Sequence, residues 1–185
     1  MLTLQPSDSY NVVVFDDHTD AFRSSLTPGT ASNVAKDRAK VLAVVAGSGT
    51  DIDSGLQAGL AQLATESNRM PMMVFVTDGL PSAGIQDHRQ IIDRFRAANT
   101  RPSTIHVIPI GLDADQTFLA DLAAESGGVF VPIGGTGVGL GPQLQRVLDV
   151  VGHTLVEDVT VEVPGFVTVG DWRSTRRTSR PPVNP

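Results

Sequence analysis

Residues 47–63, GSGTDIDSGLQAGLAQL, crowd Thr50, Asp51, Asp53 and Ser54 ahead of an apolar stripe. Side chains of this kind at a helix start commonly accept from free backbone N–H groups and complement the helix dipole. The same oxygens are also hard ligands for a divalent cation. A second stretch, MMVFVTDGLP (72–81), closes an apolar run on Asp78, and YNVVVF (10–15) runs into Asp16 and Asp17. An acid closing a buried strand must be compensated for desolvation, and a bound cation would do that. Asp78-Gly79 followed by Pro81 also reads simply as a turn. An EF-hand loop starting at Asp51 is excluded, because its glycine comes too early and Gln62 stands where a bidentate glutamate belongs.

The elements that would position these residues follow from hydrophobic periodicity. Buried strands are expected at 10–15, 72–77, 104–111 and 129–133, with 21–26 pairing back on the first as a hairpin. Pro109 weakens the end of the third. Helices are expected over 32–45, from Ile52 to Leu63, around Ile91–Phe95, around Phe118–Ala123 and over 142–153. SGG (126–128) supplies a glycine stop for the fourth helix. Alternation of apolar strands with helices predicts an α/β fold, a mostly parallel sheet with helices on both faces. In such sheets ligands gather at the carboxyl ends of the strands. Asp16, Asp17, Asp78, Gly111 and Asp113 follow strands, and Thr50 opens a helix, so one rim could hold them all. The domain is expected over 1–155, with a β extension at 156–170 and a basic, Pro-ending, solvated tail at 171–185.

With 185 residues, 41% apolar and 18% charged, the chain suits one folded domain. No apolar run reaches the ~20 residues of a membrane span, and the N-terminus shows no secretory signal pattern. The absence of cysteine excludes disulfides, thiolate zinc sites and thiol nucleophiles. Residues 1–170 hold 10 basic and 19 acidic side chains, whereas 171–185 hold four arginines against Asp171. The acidic body argues against nucleic acid as the main partner.

Taken together, YNVVVFDD, GSGTDIDSGLQAGL, MVFVTDGLPSAG and IHVIPIGLDADQTFLADLAAESGG resemble, in order and spacing, a von Willebrand factor type A domain over roughly residues 4–155. The flavour is that of inter-alpha-trypsin inhibitor heavy chains and their bacterial relatives. The resemblance implies a metal-ion-dependent adhesion site on the strand-end rim, usually holding Mg²⁺. It would be built from an Asp-x-Ser-x-Ser loop, a threonine matched by Thr50 and an aspartate matched by Asp78. It implies an open coordination position for an acidic residue of a partner protein, and a secreted or cell-envelope setting.

This chain departs from that pattern in having no Asp-x-Ser-x-Ser. The strand that would carry it, central between 10–15 and 72–77, has no counterpart, so the sequence is expected to be a piece of a longer protein. The alternative is direct pairing of Tyr10–Phe15 with Met72–Thr77. Asp16, Asp17 or Asp51 could supplement the metal set, and Mg²⁺ binding is expected to be weak. A metal-independent interaction scaffold is the first rival. An Mg²⁺-dependent haloacid-dehalogenase-like phosphatase, reading DIDSG as its Asp-x-Asp pair, is the second. It lacks a buried strand before Asp51 and a lysine beyond Lys40. P-loop, nucleophile-elbow and His-Glu-x-x-His signatures are absent, so no enzyme is expected. The histidines at 18, 88, 106 and 153 show no ligand spacing, and His106 reads as structural.

Overall fold

A computed structural model describes residues 4–45, 47–64, 70–78, 80–111 and 114–133. The expected helix at 142–153, the β extension, the tail and Asp113 lie outside these residues.

The chain opens with a two-part antiparallel hairpin. β1 (Ser9–Tyr10) pairs with β4 (Thr27–Pro28), and β2 (Val13–Phe15) pairs with β3 (Thr19–Ala21). The expected single strand over 10–15 is therefore broken. At the break, Asn11 turns its side chain onto the Arg23 carbonyl at 2.7 Å and Gln62 at 2.9 Å. The return strand also begins earlier than expected, at Thr19, because the turn occupies 16–18 alone.

α1 (Ala31–Leu42) follows, capped by Thr30, whose hydroxyl accepts from Asn33 N–H. It is clasped to the hairpin by the buried Asp37, which accepts from Tyr10 Oη at 2.6 Å and pairs with Arg23. α2 (Ile52–Leu63) buries Ile52, Leu56 and Leu60. Its small residues admit neighbouring side chains closely: the Phe15 ring lies on Gly55 and the Met73 methyl on Gly59.

β5 (Met72–Thr77) and β6 (Thr104–Pro109) form the parallel pair, in register from Met72 opposite Thr104 to Thr77 opposite Pro109. The segment expected as a fourth strand joins β6 through parallel bridges at Phe130 and Ile133. Pro109 ends β6 without breaking it. Ile110 N–H donates to the Thr77 carbonyl at 2.8 Å, and Ile133 N–H to the Pro109 carbonyl at 2.8 Å.

α3 (His88–Ala98) and α4 (Gln116–Glu125) complete the described elements, capped by Asp87 and Asp115. α4 ends at Gly127 with φ of 70°, the glycine stop read from SGG. Side chains of α2, α3 and α4 share one core with Phe75, Ile105 and Val107 on one face of the sheet. The opposite face gathers Met72, Val74, Ile108, Val131 and Ile133. This is the parallel α/β architecture expected, with the antiparallel hairpin set beside it. Tyr10–Phe15 does not pair with Met72–Thr77 among the described residues. They meet through stacked rings of Phe15 and Phe75, with centroids 5.1 Å apart.

Candidate functional site

The hairpin turn, the segment entering α2 and the loop leaving β5 converge at the carboxyl end of β5. Asp51 N–H donates to the Asp16 carbonyl at 2.7 Å, tying the turn to the start of α2. Ser82 N–H donates to the Thr50 carbonyl at 3.0 Å, and Thr50 N–H donates to Ser82 Oγ at 3.0 Å. Thr50 is thus fixed to the loop that Asp78 opens. Ser48 Oγ reaches Asp17 Oδ2 at 3.2 Å. Gly84, with φ of 59°, lies so close to Asp51 that a Cβ there would fall on its carboxylate. Glycine at 84 therefore serves both the left-handed backbone and the close approach.

The acids of this region divide by task. Asp51 is the N-cap of α2, and its carboxylate accepts from Ser54 N–H at 3.0 Å and Ser54 Oγ at 2.8 Å. The capping role weighed for Thr50 therefore belongs to its neighbour. Asp53 is buried and turned away, bound to Arg94 Nε at 3.0 and 3.1 Å. Asp78 is exposed, so its carboxylate carries no desolvation cost that a cation must offset. Within β5 only Phe75 and Thr77 are buried, Val76 is already exposed, and Asp78 lies beyond the last strand residue. Among the described residues, neither the Thr50 hydroxyl nor the Asp78 carboxylate has a hydrogen-bond partner. Both are free to bind something else.

In the sequence no second histidine stands at ligand spacing from His18. The turn brings it to its own neighbours instead. One ligand atom each from Asp16, Asp17 and His18 lies within 4.8 Å of the others. His18 N–H donates to Asp16 Oδ1 at 2.7 Å, and its Nδ1 lies 2.7 Å from Asp17 Oδ1. That bond raises the affinity of His18 for its proton and holds Asp17 below the usual carboxylate range. A sequence signal existed in the run Asp-Asp-His itself, but only the tight turn makes its side chains converge.

A family model, the von Willebrand factor type A domain, matches residues 2–133. This chain belongs to the von Willebrand factor type A family. Among its relatives, inter-alpha-trypsin inhibitor heavy chain H4 of Homo sapiens is 31% identical over 169 residues, 87% of this chain and 18% of that protein. Heavy chain H1 of Sus scrofa is 27% identical over 168 residues, again 87% of this chain and 18% of the relative. Heavy chain H6 of Homo sapiens is 28% identical over 182 residues, 91% of this chain and 14% of the relative. The chain therefore spans less than a fifth of the length of these relatives. A solved von Willebrand factor type A structure from Catenulispora acidiphila superimposes with a TM-score of 0.69 at 16% identity. It covers 80% of this chain and 34% of that one. This likeness shows the fold. No helix among the described residues of this von Willebrand A chain is long and apolar enough to cross a membrane.

Proposed function

We propose that this von Willebrand A chain is a non-enzymatic protein-interaction module. It captures an acidic side chain of a partner protein through a divalent cation held by Thr50 and Asp78. The observation that carries this reading is the pair of unengaged oxygens on the β5 rim, with Thr50 fastened to the loop that follows Asp78. A hydroxyl and a carboxylate are hard oxygen donors and fit Mg²⁺ in kind. In number they fall short of an octahedral set, so water or the partner's carboxylate would supply the remaining positions. Asp16 and Asp17 border the site and could add donors, at the expense of their bonds within the turn. A bound cation would supply positive charge and an open position for a carboxylate. The protein contributes orientation, through the Thr50–Ser82 bonds and the Asp51 cap.

Weak affinity follows, because Mg²⁺ gives up its water reluctantly and two protein ligands replace little of it. A dissociation constant on the order of millimolar is expected, by analogy with the weakest extracellular cation sites. Calorimetric titration of Mg²⁺ into the chain tests this, with Thr50→Ala and Asp78→Ala as controls. Loss of the heat in both variants supports the reading; unchanged binding in Asp78→Ala removes it.

One observation favours the metal-independent rival. Asp51 and Asp17 already accept hydrogen bonds from Ser54, Ser48 and His18, so part of the rim is satisfied without an ion. Partner binding that survives a chelator would select that rival. The phosphatase reading needs Asp51 as an available nucleophile, whereas both its oxygens serve the helix cap.

A further inference from the structure

Beside the acidic turn lies a groove that reaches neither Thr50 nor Asp78 and shares only Asp16 with the border of the cation site. Val14, Phe15, Val44, Val45 and Gly47 line it, Asp16, Asp20 and the Asp17-bonded His18 stand at its rim, and its cavity measures about 190 Å³. That is below the ~300 Å³ at which small-molecule pockets begin, and suits one large side chain. Val44 and Val45 are 47% and 86% exposed, and Val41 and Leu42 extend the apolar surface along the end of α1. The nearby cations are engaged elsewhere: Lys40 bonds the Phe22 carbonyl, Arg23 pairs with Asp37, and His18 is bonded to Asp17. An apolar floor with an acidic rim calls for an apolar side chain flanked by arginines.

The same chain contains that chemistry. We propose that its segment Trp172–Arg180, WRSTRRTSR, docks in this groove, with Trp172 on the valines and its arginines on Asp16 and Asp20. Charge complementarity supports the match: the segment holds four arginines and no acid, against an acidic body. Reach also permits it. Ile133, where the described residues stop, bridges Ile110 at the strand-end rim on which the turn 16–18 sits. Forty positions separate Ile133 from Arg173, and even at the ~1.5 Å per residue of a helix they would span ~60 Å. Tethering replaces a bimolecular encounter by an effective concentration in the millimolar range, so modest contacts suffice.

Trp172 is the only tryptophan and reports on the docking directly. In the full chain its emission is expected to lie blue of a synthetic peptide of residues 171–180, independent of protein concentration. Asp20→Lys, Val45→Asp and the triple change Arg173→Glu, Arg176→Glu and Arg177→Glu should each return it to the peptide's value. The triple change combined with Asp20→Lys should restore part of the shift. Asp20 and Val45 are exposed, and far-UV circular dichroism verifies that these variants stay folded. Peptide-like emission in the unsubstituted chain would overturn the proposal. So would a blue shift that ignores the groove substitutions, or one that grows with concentration, which would place the segment on a second copy.

Discussion

Asp51 and Asp78 differ in what their removal should do, although sequence placed both among the candidate ligands. Asp51→Ala removes the cap of α2 and should destabilise the chain by about 1 kcal/mol, read from its denaturation midpoint. Asp78→Ala removes an exposed carboxylate with no bond among the described residues, so the same measurement should shift by less than ~0.5 kcal/mol. Reversal of that order would show that Asp78 holds the fold. His106 gives a pH dependence of its own. It is 1% exposed in β6, its Nδ1 accepts from Val129 N–H at 3.2 Å, and burial pushes its affinity for a second proton down. Between the lowered folded value and the unfolded value of ~6.5, the unfolded chain binds more protons. Its contribution is therefore complete above about pH 6.5 and is lost as pH falls below that value. Denaturant melts from pH 7.5 to 5 should show the decline, and His106→Gln should flatten it while keeping an acceptor for Val129.

Elements were legible where the apolar period was long. β5, β6, α2, α3 and α4 follow directly from MMVFVT, TIHVIP and the helical spacing of Ile52, Leu56, Leu60, Ile91, Phe95, Phe118 and Leu122. The hairpin was less so. Asn11 interrupts its first strand through side-chain bonds to residues 12 and 51 positions away, which no local pattern encodes. The site shows the same division. Thr50 and Asp78 could be picked by their place after or before apolar runs, but the exposure of Asp78 and the capping by Asp51 depend on where strand and helix stop. α2 tests how tightly these elements are set. A Cβ at Gly55 would meet the Phe15 ring at 2.8 Å. Gly55→Val should force the hairpin away from the helix and cost about 1–3 kcal/mol, read as a lowered unfolding midpoint. Gly84→Ala adds strain at a positive φ and displaces the Asp51 carboxylate, so it should disturb the rim as well as the stability.

For the whole molecule, fold and family are fixed by the match over residues 2–133 and the TM-score of 0.69. The cation-bridged capture rests on the rim alone. Among the described residues of that rim, Asp51 has both oxygens on the helix cap, so the proposed reading expects no Mg²⁺-dependent hydrolysis of phosphate monoesters. Turnover abolished by Asp51→Asn but untouched by Asp78→Asn would instead favour the phosphatase. The most direct measurement of the central claim is Mn²⁺ titration followed by amide line broadening in ¹H–¹⁵N spectra. Mn²⁺ accepts the same hard oxygen ligands as Mg²⁺, and its unpaired electrons broaden signals close to it. The amides of Thr50, Asp78 and Ser82 should broaden first, excess Mg²⁺ should reverse the effect, and Asp78→Ala should abolish it. Broadening confined to Asp16–His18, or persisting unchanged in Asp78→Ala, would contradict that claim.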